Sequence, residues 1–115
     1  MSNRLYDIEE RIKTAINLAT TLEKMTALTI EMVPETVSKQ ANISIEYLIA
    51  PEGSGRLYNK LPRSMDVMLF RQVVHYVLRE RFGLSYPKIA RITGGRHTIV
   101  MHNVKKMQDY IQLNS

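Results

Sequence analysis

Arg96, His97, Thr98 and Ile99 stand directly behind Gly94-Gly95, and their types could do chemistry on the edge of a base pair. An arginine forks onto a guanine edge, an imidazole donates or accepts, and threonine and isoleucine methyl groups meet a thymine methyl. The two glycines allow backbone at positive φ, so a helix starting after them can leave at a steep angle to the one before. Other chemistries fail on spacing. The histidines are His75, His97 and His102; the last two point to different sides of a helix and have no acidic partner at a ligating offset, so no metal site is expected. The absence of cysteine removes thiolate nucleophiles, thiolate metal sites and disulfides. No nucleophile is spaced with an oriented base, so no catalytic residue, no cofactor and no enzymatic activity are expected.

These residues need elements to hold them. A third helix is expected from a cap at Ser64 or Asp66 to about Phe82, with Leu69, Val73, Tyr76 and Val77 inward. Arg71, His75 and Arg79, four residues apart, form another face of it, on which His75 looks to solvent or a phosphate. Gly83 ends that helix. Ser85 caps a short helix over Tyr86–Ile92, with Pro87 in its first turn. After the glycine turn the last helix runs from His97 to about Leu113, burying Val100, Val104, Met107 and Ile111. His97, Thr98, Met101, Lys105 and Gln108 lie opposite. A short helix, a glycine turn and a longer helix that is polar at its start form the helix-turn-helix plan, whose second helix enters a major groove about 12 Å wide.

Upstream, Leu5, Ile8, Ile12, Ala15, Ala19 and Leu22 recur at helical spacing and predict an amphipathic helix. Its stripe suits either packing on the rest of the domain or a homodimer seam through residues 5–22. Thr29 to Ala41 reads as a second helix entered near Pro34. Ile43 to Ile49 reads as a short extended segment or a helical turn. Residues 50–63, rich in glycine and proline with Arg56, Lys60 and Arg63, read as a flexible basic connector. The methionines read as adaptable core filler.

Charge is polarised. Residues 1–55 carry five basic and eight acidic side chains, and residues 56–115 carry eleven and three. The second half suits a polyanion. With 44% apolar and 23% charged residues the chain reads as globular. It has no membrane-spanning run and no signal peptide, so a cytoplasmic protein with no membrane partner is expected.

The segment from Arg71-Gln72 through Ser85-Tyr86-Pro87-Lys88-Ile89 to Gly94-Gly95-Arg96 resembles, without a gap, the C-terminal DNA-binding domain of the bacterial replication initiator DnaA. His97-Thr98-Ile99-Val100-Met101-His102 and then Lys105-Lys106-Met107 resemble its H-T-T-V-L-H stretch and closing basic run. A weaker similarity reaches back through Thr36-Val37 to Thr29-Ile30-Glu31, so the resemblance covers residues 29–112. It implies an all-α helical bundle containing a helix-turn-helix, similar to that domain and Trp-repressor-like. It further implies that the protein reads double-stranded DNA at a DnaA-box-like site. Base reading would fall to His97, Thr98 and Ile99. Backbone or base-edge contacts would fall to Ser85, Tyr86, Pro87 and Lys88, with Arg71 and Lys105 nearby.

Three departures follow from the resemblance. The family's aspartate between Arg96 and His97 is missing, Ile99 replaces a threonine, and the family's minor-groove arginine is Leu69, with Arg63 or Arg56 as substitutes. DNA binding is expected to survive, with the box preference altered or relaxed. The division is residues 1–28 as an N-terminal helix for dimerisation or packing, and 29–115 as the DNA-binding domain. The chain contains no G-x-x-x-x-G-K-[ST] phosphate loop. The expected use is therefore that of a stand-alone, nucleoid-associated regulator of replication initiation or transcription, of phage or prophage type. The alternative is a protein-interaction or dimerisation module with a weakened DNA surface.

Overall fold

The computed structural model describes residues 4–49 and 64–114. These fold into α1 (Arg4–Lys24), α2 (Met32–Ala41), α3 (Ile45–Leu48), α4 (Met65–Glu80), α5 (Tyr86–Thr93) and α6 (His97–Leu113), with no strand among the described residues. The all-α helical bundle read from the sequence is the observed fold. The basic connector, with Arg56, Lys60 and Arg63, lies outside the described residues.

Helix α4 is the hub. Every residue from Leu69 to Leu78 is buried, which a helix achieves only when neighbours cover it on all sides. Here α1, α2, α3, α5 and α6 all pack against it. This corrects the reading of Arg71, His75 and Arg79 as a solvent face. Arg71 is buried and its Nε donates to the Tyr47 carbonyl at 2.7 Å, and His75 is fully buried. Arg79 is half-buried and its Nη1 donates to the Leu84 carbonyl.

The ends of α4 follow its local chemistry. The Ser64 hydroxyl accepts from the Val67 amide at 3.3 Å, satisfying one of the orphan donors of the first turn. Asp66, the other candidate cap, instead pairs with Arg11 of α1 at 3.0 Å. Gly83 takes φ +64, where a side chain would be strained, and sends its amide back to the Arg79 carbonyl. Ser64→Ala should cost about 1 kcal/mol, read as a lower urea midpoint with an unchanged slope.

Helix α1 lies along α4 in the same direction, with Arg11 beside Asp66 and Glu23 beside Tyr76, whose hydroxyl donates to Glu23 at 2.7 Å. Ala15, Ala19 and Leu22 are fully buried inside this chain's own core, so that part of the stripe is already covered. The second helix begins at Met32, because Thr29 to Glu31 makes a tighter turn in which the Met32 amide bonds the Thr29 carbonyl. Asn42 ends it in the left-handed region at φ 57, a conformation asparagine tolerates. The alternating segment that follows closes as a single helical turn, α3, with Leu48 buried. Of the methionines expected as filler, Met107 is fully buried, whereas Met65 and Met68 are exposed.

Candidate nucleic-acid interface

Helices α5 and α6 form the helix-turn-helix, joined through Gly94 and Gly95 at φ 83 and 90. Both values lie where L side chains are strained, so the sharp turn needs glycine at these positions. The Gly94 amide closes on the Ala90 carbonyl at 2.7 Å. Ile89 and Ala90 of α5 and Val100, Val104 and Met107 of α6 are buried in the shared core, while Ile111 is half-buried. The last helix starts and ends where the sequence reading placed it.

The leading end of α6 is open. Arg96, His97, Thr98 and Ile99 are all exposed, with Ile99 at 38% despite being apolar. Arg96 occupies the N-cap position, and no side chain caps the helix. The first turn tightens instead, with the Ile99 amide on the Arg96 carbonyl at 3.0 Å. The start of α6 is thus uncapped at the point where the resemblance implies a missing aspartate. Lys105 is exposed two turns further along the side that carries His97 and Met101.

Alongside, Ser85 accepts from the Lys88 amide at 3.2 Å and caps α5. Ser85, Pro87 and Lys88 are exposed, and Tyr86 is half-buried. The Arg79 guanidinium lies 4.5 Å from the centre of the Tyr86 ring, a cation–π distance. While also holding the Leu84 carbonyl, it pins the turn that presents Ser85 to Lys88. Sequence reasoning missed this role, and it missed Arg91, exposed on α5. Arg91 falls three residues after Lys88, a register that places both on one helix face. His102 and Lys106 are also exposed on α6.

One expected site residue does not join this surface. Arg71 is buried beside α3, as described above, and Arg63 lies outside the described residues. Leu69 is a core residue 1% exposed.

Beneath the surface His75 ties the unit together. Its Nε2 lies 3.0 Å from the Thr93 hydroxyl at the end of α5, and its Nδ1 lies 3.0 Å from the Asn103 amide nitrogen of α6. Thr93 donates its own hydroxyl hydrogen to the Ile89 carbonyl at 2.9 Å, so it accepts from Nε2–H. Asn103 then donates to the bare Nδ1, and the ring is neutral. Burial, assisted by the Arg71 charge, lowers the His75 pKa to about 3. Among the described residues no group of His, Asp or Glu is arranged to hold a metal, and no helix is long and apolar enough to cross a membrane.

Residues 30–107 match the family described as the bacterial dnaA protein helix-turn-helix. The chain belongs to that family. Relatives include the chromosomal replication initiator protein DnaA of Oenococcus oeni, 34% identical over 79% of this chain and 18% of its own. The protein of the same name from Thermomicrobium roseum is 34% identical over 74% of this chain and 16% of its own. In that from Kosmotoga olearia identity is 39%, over 40% of this chain and 10% of the relative. The aligned stretch thus spans less than a fifth of these relatives' length. No solved structure gives a significant match. Gly94, Gly95 and the exposed start of α6 all lie within the matched residues.

Proposed function

We propose that this chain binds double-stranded DNA sequence-specifically, with α6 in the major groove and residues 85–106 forming the contact surface. The observation that carries this reading is the open start of α6. Four exposed residues able to read base edges project from a helix set at an angle by two positive-φ glycines, the placement a recognition helix needs. Arg96, His97, Thr98 and Ile99 read bases. Ser85, Tyr86, Pro87, Lys88 and Lys105 hold the backbone, and Arg91 extends that row. Arg63 or Arg56, in the basic connector, takes the part of a minor-groove arginine. The site is DnaA-box-like, and binding regulates replication initiation or transcription at the nucleoid, in the cytoplasm. The chain contributes positioning and recognition and no bond-making chemistry. Residues 29–115 are the DNA-binding unit, and residues 1–28 a packing element whose Ala15, Ala19 and Leu22 complete the core. The rival reading, a dimerisation or protein-interaction module built on residues 5–22, must work without those three side chains.

Phosphate contacts predict a specific salt dependence. Each phosphate neutralised on B-DNA contributes about 0.9 to the slope of log affinity against log salt. Lys88→Ala combined with Lys105→Ala should therefore lower the slope by about 2 and weaken binding to all duplexes alike. Wild-type binding that ignores salt would remove the phosphate contacts from the account.

A further inference from the structure

The polar contacts inside the helix-turn-helix are as informative as those outside it. His75 and Thr93 are both fully buried, where a hydrogen-bonding group left unpaired is penalised and an apolar group is not. Apolar side chains could fill this space, and apolar packing tolerates small slides because it has no direction. Hydrogen bonds at 3.0 Å do have direction. The two ring nitrogens of one imidazole point along fixed lines in the ring plane, one to the last residue of α5 and the other into the second turn of α6. Asn103 lies on the inner side of α6, in the same two turns as the exposed readers Thr98 and Ile99. Thr93 immediately precedes the glycine pair, the part of the chain with the weakest conformational preference of its own. The α6 start also lacks a side-chain cap, so the directional side-chain contacts that hold it against the rest of the unit come from further along the helix, at Asn103.

We propose that His75 is a positioning residue for DNA recognition. Its neutral ring, bridged to Thr93 and Asn103, fixes the angle between α5 and α6 and so sets where His97 and Thr98 meet the bases. This deepens the proposed DNA-reading function and rests on it. The bridge acts from a central helix that touches no DNA, so its removal affects discrimination between sequences more than attraction to the phosphate backbone.

The test has one arm that needs no DNA. The chain has no cysteine, so Arg91→Cys with Asp109→Cys gives two exposed attachment sites for spin labels, one on α5 and one on α6. The label-to-label distance is measured by pulsed electron resonance in the labelled protein with and without His75→Leu. The bridge predicts a narrow distribution that broadens or shifts in the variant, and a near-native one in His75→Gln, whose amide can donate to Thr93 and accept from Asn103. In the second arm, on unlabelled proteins, His75→Leu should lose at least about 10-fold in the affinity ratio between a DnaA-box duplex and a scrambled one. Its affinity for the scrambled duplex should change little, and His75→Gln should restore the ratio. Should His75→Leu fail to fold, Asn103→Ala removes only the α6 end of the bridge and is read in both arms in the same way. A folded variant with an unchanged distance distribution overturns the proposal. Wild-type protein that binds neither duplex overturns the DNA reading instead, while the distance arm still decides whether the bridge sets the angle.

Discussion

Moving the protein from pH 7 to pH 4 should destabilise it by roughly 3 kcal/mol through His75 alone. The ring is held neutral in the fold, with its pKa lowered to about 3 by burial and then by Arg71, against about 6.5 in the unfolded chain. Between those values the unfolded chain takes up a proton that the folded chain refuses. The stabilisation is therefore complete above pH 6.5 and is lost as pH falls from 6.5 toward 3, at a slope approaching 1.4 kcal/mol per pH unit. Urea melts at pH 7, 6, 5 and 4 measure it. Carboxylates such as Asp66, paired with Arg11, add their own acid sensitivity, and His75→Gln keeps that part while removing the imidazole. The difference between the two profiles isolates His75. Superimposable profiles would mean that the imidazole titrates alike folded and unfolded, and would contradict its burial as a neutral, bridged ring.

That residue also marks where sequence reading stopped. Basic side chains at 71, 75 and 79 recur with helical spacing, and a local pattern of that kind ordinarily means a solvated face. What buries Arg71 and His75 is tertiary. The Tyr47 carbonyl at the end of α3 and the Thr93 and Asn103 side chains lie 18 to 28 residues away along the chain. No periodicity within α4 encodes their arrival. The same applies to Arg79, whose partner Tyr86 becomes visible only once the turn after Gly83 is closed. By contrast, much of what short-range chemistry sets was legible. Ser64 and Ser85 cap their helices, the glycines take positive φ, and α6 begins at His97. The stripe on α1 was legible as a stripe. Its destination was not, since small alanines suit a seam between two chains as well as a close approach to α4. The exposed start of α6 was readable because polar residues with no core to join are left at the surface.

The second large effect concerns those exposed residues. His97→Ala with Thr98→Ala should weaken binding to the preferred duplex by about 2–4 kcal/mol, roughly 30- to 1,000-fold, at about 1–2 kcal/mol per base-reading contact. Binding to a scrambled duplex should change by less than about 3-fold, because Lys88, Arg91 and Lys105 stay in place to meet phosphates. Both side chains are exposed, so stability should shift by no more than about 0.5 kcal/mol. Titration of fluorescent duplexes checks the affinities and a thermal melt checks the fold. Equal losses on both duplexes would assign His97 and Thr98 to the backbone and move base reading to Arg96 and Ile99.

The central claim is that the α5–α6 unit reads a DNA sequence, and a four-way titration tests it most directly. The protein is titrated against a duplex carrying a DnaA box and against a scrambled duplex of the same length, each at low and at physiological salt. Sequence-specific recognition predicts that both duplexes bind at low salt and that added salt strips the scrambled duplex much more than the box duplex. The absence of binding to either duplex at low salt would contradict the account.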